Sequence, residues 1–151
     1  VIETKPKKGD HITVDVSWFP LVEHHGIYVG DNYVIHFSKE HFGATPVIDK
    51  TRMEDFAKGR LDKVIIVPHP VSDSLSPDQV MERAEKLLML RENPKLLYQF
   101  REFNCEHFAN LCKTGHPISK QVDNAEHTSE LSSPFLKVLA AIGLAVLGES
   151  L

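Results

Sequence analysis

The sequence predicts an α+β domain, and three observations carry that reading. Residues 11–17 alternate, with Ile12, Val14 and Val16 on one side and His11, Thr13, Asp15 and Ser17 on the other. Two β-rich runs, roughly 24–29 and 33–37, flank Gly30-Asp31-Asn32, a strong hairpin signal. Helix starts follow the strands, one at Ser76-Pro77 and one after Asn104. Runs of strands followed by runs of helices are the sequence signature of this class.

Taken in order, residues 11–17 read as a half-buried strand, followed by a Trp-Phe-Pro loop and the hairpin. Residues 38–60 are polar and mixed, with a short strand near Val47-Ile48. Val64-Ile65-Ile66-Val67, closed by Pro68 and Pro70, reads as a fully buried strand. Ser76-Pro77-Asp78-Gln79 combines a Ser N-cap, Pro at the first helical position and Gln three residues after the cap. That helix should run to about Arg91 and stop before Asn93-Pro94, and residues 95–103 fit either helix or strand. A second helix should open after Asn104 and close near Gly115-His116-Pro117. Residues 124–133 are polar and read as a linker.

Composition bounds the function. At 151 residues, with 42% hydrophobic and 25% charged, the chain suits one domain with a real core. Its net charge of −4 and the lack of a basic stripe with interleaved aromatics make nucleic acid an unsuitable partner. The two cysteines, Cys105 and Cys112, sit seven positions apart. On one helix that is about 10 Å, beyond the roughly 7 Å Cα limit for a disulfide. Two unpaired thiols suggest a reducing compartment, the cytoplasm. The first ten residues lack the apolar core of a signal peptide.

Cys105 is the candidate nucleophile. A thiol reacts as thiolate, and little of it is ionised at its free pKa of about 8.5. In the first turn of a helix it meets the positive end of the macrodipole, which favours the anion. Its backbone N–H would also face a developing oxyanion. Cys105, Phe108, Ala109 and Cys112 fall on one helical face, and Cys112 reads as a small buried hydrophobe. A Cys nucleophile needs a base and something to hold the base's tautomer. His24 and His36 share a face of the hairpin only if the loop holds an odd number of residues. A two-residue Asp31-Asn32 turn would separate them. His25 has the opposite parity and should face away, and His107 lies about 200° round the helix from Cys105.

These residues carry a resemblance. Glu23-His24-His25-Gly26-Ile27-Tyr28-Val29-Gly30-Asp31-Asn32-Tyr33-Val34-Ile35-His36, together with Asn104-Cys105-Glu106-His107-Phe108, resembles the lecithin:retinol acyltransferase family. That family includes the H-Ras-like suppressors, which are phospholipase A/acyltransferases. Gly9-Asp10 and Ser119-Lys120-Gln121-Val122 support the match, which covers about residues 5–123. One departure is His25, where the family commonly has Trp or Tyr. The resemblance implies a circularly permuted papain-like fold whose antiparallel sheet packs on a helix with the catalytic Cys at its N-terminus. It implies Cys105 as nucleophile, His24 as base and His36 as the residue that orients His24. It further implies thioester-mediated acyl transfer from a glycerophospholipid, with phospholipase A1/A2 and acyltransferase outcomes and no metal or other cofactor.

The expected organisation is a catalytic domain over 1–123, the linker 124–133 and an apolar segment over 134–151. Val138 to Gly148 is uncharged and almost wholly aliphatic, but spans only eleven residues, whereas a membrane-crossing helix needs about 20. The segment reads as a helix docked on the core, as a membrane-contacting tail, or as part of an anchor. The expected partners are a phospholipid and a membrane surface. Competing readings are a papain-like peptidase or amidase, a non-catalytic interaction module of the same fold, and a zinc site built from His24, His36 and Cys105 or His107.

Overall fold

The hairpin around Asp31-Asn32 forms the middle of an antiparallel sheet in the computed structural model, which describes residues 5–15, 23–38, 45–100, 103–116 and 133–144. The strands are β1 (His11–Asp15), β2 (Glu23–Gly30), β3 (Tyr33–Ser38), β4 (Val47–Arg52) and β5 (Ile65–Ile66), in the spatial order β4-β3-β2-β1-β5. The described helices are α1 (Met53–Ala57), α2 (Pro77–Leu88), α3 (Pro94–Tyr98), α4 (Cys105–Thr114) and α5 (Ser133–Ala141), with short 3₁₀ turns between some of them. The architecture is α+β, as the sequence predicts.

Both faces of the sheet are covered, and alternation decides which residue goes where. On one face Ile27, Val29, Ile35, Phe37 and Ile48 join α2 and α4 through Val80, Leu87, Phe108 and Leu111. On the other, Ile12, Val14 and Val34 join α1 through Met53, Phe56 and Ala57. The register gives this second face His24, Gly26, Tyr28 and His36 as well, since Val14 pairs with His24 and Gly26 with His36.

The helix signals in the sequence have physical counterparts. Ser76 Oγ accepts from Gln79 N–H at 3.2 Å and Gln79 Oε1 accepts from Ser76 N–H at 3.0 Å, a reciprocal cap on α2. The α2 helix ends at Leu88 in a 3₁₀ turn, Met89–Glu92, before Asn93 caps α3. Gly115 closes α4 in the left-handed conformation, with φ 83°.

Three expectations need correction. Strand β1 is not half-buried: His11 (2% exposed) and Thr13 (8%) are as hidden as Ile12 and Val14, because α4 covers their face. Val64–Val67 is not a buried strand; β5 is a two-residue edge strand whose Ile65 is 61% exposed. In the polar stretch 38–60 the expected strand at Val47-Ile48 is present, as β4, but the stretch also supplies the unexpected helix α1, with Phe56 buried. Of the expected linker 124–133, residues 124–132 lie outside the described residues, as does the Ser119–Val122 match, and Ser133 opens α5. In α5 and the turn after it, Val138, Leu139 and Leu144 are buried in the same cluster as α2 and α4.

Candidate active site

The turn between β2 and β3 has the two residues that were expected to separate His24 from His36, yet the rings meet. Gly30 pairs with Tyr33 across Asp31-Asn32, but Tyr28 pairs with Val34, so Val29 is an extra residue, a β-bulge. The bulge restores the parity that the even turn removes. His24 and His36 become diagonal neighbours on one face, with His24 Nε2 and His36 Nδ1 3.1 Å apart and the rings edge to face.

Phe56 of α1 holds this pair. Its ring stacks on His24 at a centroid distance of 4.5 Å and meets His36 edge-on at 5.6 Å. Burial, and then the adjacent His36 ring, push the His24 pKa down to about 4, with the Phe56 backbone carbonyl opposing. Burial also lowers the His36 pKa, against the pull of Asp49. Both imidazoles are therefore neutral near pH 7. His24 Nδ1 and His36 Nε2 are buried without a partner at hydrogen-bonding geometry. A His24 Nε2–H donated to His36 Nδ1 leaves the Nδ1 lone pair of His24 free to take a proton.

Cys105 opens α4, and its N-cap has an unusual partner. Asn104 Oδ1 accepts from His107 N–H at 2.9 Å, and His107 Nδ1 accepts from Asn104 N–H at 3.0 Å. An imidazole thus does the work that Glu or Gln does in most such caps. His107, whose ring also packs on Phe103, belongs to the cap.

The sulfur lies against the backbone of β2. Tyr28 N–H points to β1, so the odd-numbered residues of β2 aim their backbone groups toward β3. The β2–β3 ladder ends at Gly26–His36, and beyond it Cys105 Sγ donates to Glu23 O at 3.5 Å. The backbone N–H groups of His25, Cys105 and Glu106 all favour a thiolate there. Burial outweighs them, with help from the Glu106 carboxylate, and the thiol pKa is raised. The expected helix-terminus effect is present but smaller than desolvation. Cys112 is fully buried and its thiol is pushed far up by burial.

The structure thus brings His24 and His36 together and sets Cys105 beside the backbone on either side of His24. The resting thiol bonds a carbonyl rather than a ring nitrogen. His25 does face the opposite side of the sheet from His24, yet it is buried and joined to His11. Sequence reasoning missed Phe56, Glu106 and His11. His11 could have been found, because strand parity puts it on the His25 face. Among the described residues no three His, Cys, Asp or Glu side chains converge as a metal would require.

The family model described as lecithin retinol acyltransferase matches residues 4–118. Phospholipase A and acyltransferase 3 of Mus musculus is 30% identical, covering 93% of this chain and 90% of its own. Phospholipase A and acyltransferase 2 of Homo sapiens is 28% identical over the same shares. Lecithin retinol acyltransferase of Bos taurus is 31% identical over 66% of this chain and 52% of its own. With the model match spanning most of its length, the chain belongs to the lecithin retinol acyltransferase family.

Proposed function

We propose that this protein is a thiol-dependent acyl hydrolase and acyltransferase of glycerophospholipid esters, with Cys105 as nucleophile, His24 as base and His36 as the residue that orients His24. The observation that supports the reading is the buried His24–His36 pair at 3.1 Å, together with a thiol at a helix N-terminus that bonds the carbonyl of Glu23, the residue before His24. The names of the relatives, phospholipase A and acyltransferase, support the substrate class. The antiparallel sheet with a thiol-bearing helix is compatible with a circularly permuted papain-like fold.

The resting pair is uncharged, since burial disfavours both thiolate and imidazolium. The proposed first step exchanges the Glu23 carbonyl for His24 Nδ1 as the thiol's partner. The thiol proton passes to Nδ1 while sulfur attacks the ester carbonyl carbon. Backbone N–H groups at the start of α4 stabilise the oxyanion. When the tetrahedral centre collapses, the C–O bond to the lysophospholipid breaks, and the imidazolium protonates the departing oxygen. A group that loses its proton as readily as His24 is a strong acid for that purpose. The thioester then passes its acyl group to water, giving phospholipase A activity, or to an amine or alcohol, giving an acylated product.

An open groove of about 810 Å³ lies on the His24 face, lined by Tyr28, Met53, Val64 and Ile66 and also by the polar Lys5, Asn32 and Asp62. Such a mixed lining offers room for part of an amphipathic substrate. A lipid substrate also implies contact with a membrane surface from a cytoplasmic location. No described helix is long and apolar enough to cross a membrane.

Intact-protein mass spectrometry after brief exposure to a phospholipid tests the proposal. An acyl adduct is expected on the wild type and none on Cys105→Ala. Undiminished acyl release by folded Cys105→Ala would remove Cys105 as nucleophile.

A further inference from the structure

Three histidines outside the proposed triad form a continuous row behind Cys105. His69 Nε2 meets His11 Nδ1 at 2.9 Å, and His11 Nε2 meets His25 Nδ1 at 2.7 Å. His25 Nε2 then lies 3.3 Å from Glu23 Oε2 and 3.9 Å from Glu106 Oε2. His11 and His25 are 2% and 3% exposed, whereas His69 is half-buried and Glu23 is exposed. His11 uses both ring nitrogens on two different partners, so the row is built of hydrogen bonds rather than around one metal ion.

We propose that His25 is a positioning residue for the Cys105 site: the His69–His11 row fixes its tautomer so that Nε2–H faces the carboxylates of Glu23 and Glu106, the latter next to Cys105 in α4. The proposal rests on the reading of Cys105 as nucleophile. The carboxylate end sets the direction of the whole row. A donor Nε2–H on His25 makes its Nδ1 an acceptor, which requires Nε2–H on His11 and in turn Nε2–H on His69. Burial keeps the first two rings neutral: it lowers the His25 pKa and, with the neighbouring histidines, takes that of His11 down to about 2. One proton per hydrogen bond therefore satisfies the two His–His bonds, while His25 Nε2 at the end of the row makes no hydrogen bond and meets the carboxylates only electrostatically.

The link to the sulfur is short. Glu106 follows Cys105 in α4, is 7% exposed, and opposes ionisation of the thiol. The backbone N–H of His25 favours the thiolate directly. Other titratable groups acting on the row are Lys113 of α4, which acts on His11, Glu23 of β2, and His24, which interacts with His25 from the opposite face of the sheet. His25, the residue next to His24, is the one that ties the row to the site.

The test is the pH dependence of Cys105 alkylation by iodoacetamide, followed by peptide mass spectrometry on the full chain, with kcat and KM for phospholipid hydrolysis alongside. His25→Phe should move the alkylation midpoint upward by the most and His11→Leu by less, each lowering kcat several-fold with little change in KM. Glu106→Gln should move the midpoint down, and in that background His11→Leu should have no further effect. If His11→Leu does not fold, His69→Leu at the half-buried end should give the same upward shift. An unchanged midpoint, or an equal shift with and without Glu106, would overturn the proposal. A midpoint that shifts as expected in a protein that releases no acyl group would keep the row and discard the enzymatic reading.

Discussion

His24 and His36 lie 3.1 Å apart although a two-residue turn joins their strands, because the Val29 bulge shifts one strand by a residue. The pair is thus built into the register of the hairpin. A side chain's face in a strand is fixed by counting, and the bulge changes the count.

Replacing His36 should separate orientation from binding. His36→Leu removes the acceptor for His24 Nε2–H, so His24 loses the tautomer that leaves Nδ1 free. A fall in kcat of roughly 10²–10⁴ is expected, with KM nearly unchanged. His36→Asn, which still offers an acceptor oxygen, should recover part of the loss. Steady-state kinetics on a soluble ester check both, and equal kinetics for the two variants would contradict the assigned role.

Acid should weaken the fold through its buried histidines. The pKa values of His11, His24, His25 and His36 are all depressed from 6.5, to about 2 for His11 and about 4 for His24. Each favours the folded state fully above pH 6.5, and that contribution is lost as pH falls toward the folded-state value. The slope approaches about 1.4 kcal/mol per pH unit for each histidine that is protonated only when unfolded. Urea midpoints at pH 7, 6 and 5 should fall progressively, and less steeply for His11→Leu. The acid limb of kcat/KM should likewise sit near the His24 value of about 4.

Much of this was legible from the residues alone. Ser76-Pro77 and Asn104 announce helix starts through local hydrogen bonds, and local chemistry can be read locally. Gly30-Asp31-Asn32 announces a hairpin for the same reason. The Val29 bulge leaves no comparable mark, because one extra residue in an apolar run looks like strand. The α1 helix is a five-residue element, too short to show a helical period, so Phe56 stayed hidden in polar surroundings. Val64–Val67 has the composition of a buried strand, and only the sheet order makes β5 an edge. The thiol of Cys105 follows the same logic. Its helix terminus is visible in sequence, whereas the desolvation that exceeds it exists only once the chain has folded around the thiol.

The stacking of Phe56 on His24 makes Gly26 a sensitive position. A Cβ at Gly26 would come within 2.6 Å of Val34 Cγ1, 3.0 Å of Phe56 Cε2 and 3.2 Å of Ile35 O. Gly26→Ala should therefore cost about 1–3 kcal/mol by overpacking and displace the ring that shields His24. Phe56→Leu removes the shield without the clash. With less desolvation the His24 pKa rises toward 6.5, so the acid limb of activity should move to higher pH. A limb that stays in place while stability drops would show that Phe56 serves packing alone.

The C-terminal helix poses the sharpest choice between core and membrane. Leu139 is 1% exposed and sits with Val138 and Leu144 in the cluster formed by α2, α4 and the sheet. Lys86 Nζ donates to Gly143 O at 3.3 Å and ties the end of the segment to α2. Burial of this kind belongs to the stability of the domain, so Leu139→Ala should cost about 2–5 kcal/mol. A membrane-contacting role would need those same side chains to leave the core, exposing apolar surface on both the helix and the domain. Leu139→Ala should thus lower the melting temperature, while activity per folded molecule stays unchanged on vesicles and on a soluble ester alike. A selective loss on vesicles with an unchanged melting temperature would assign the segment to the bilayer instead.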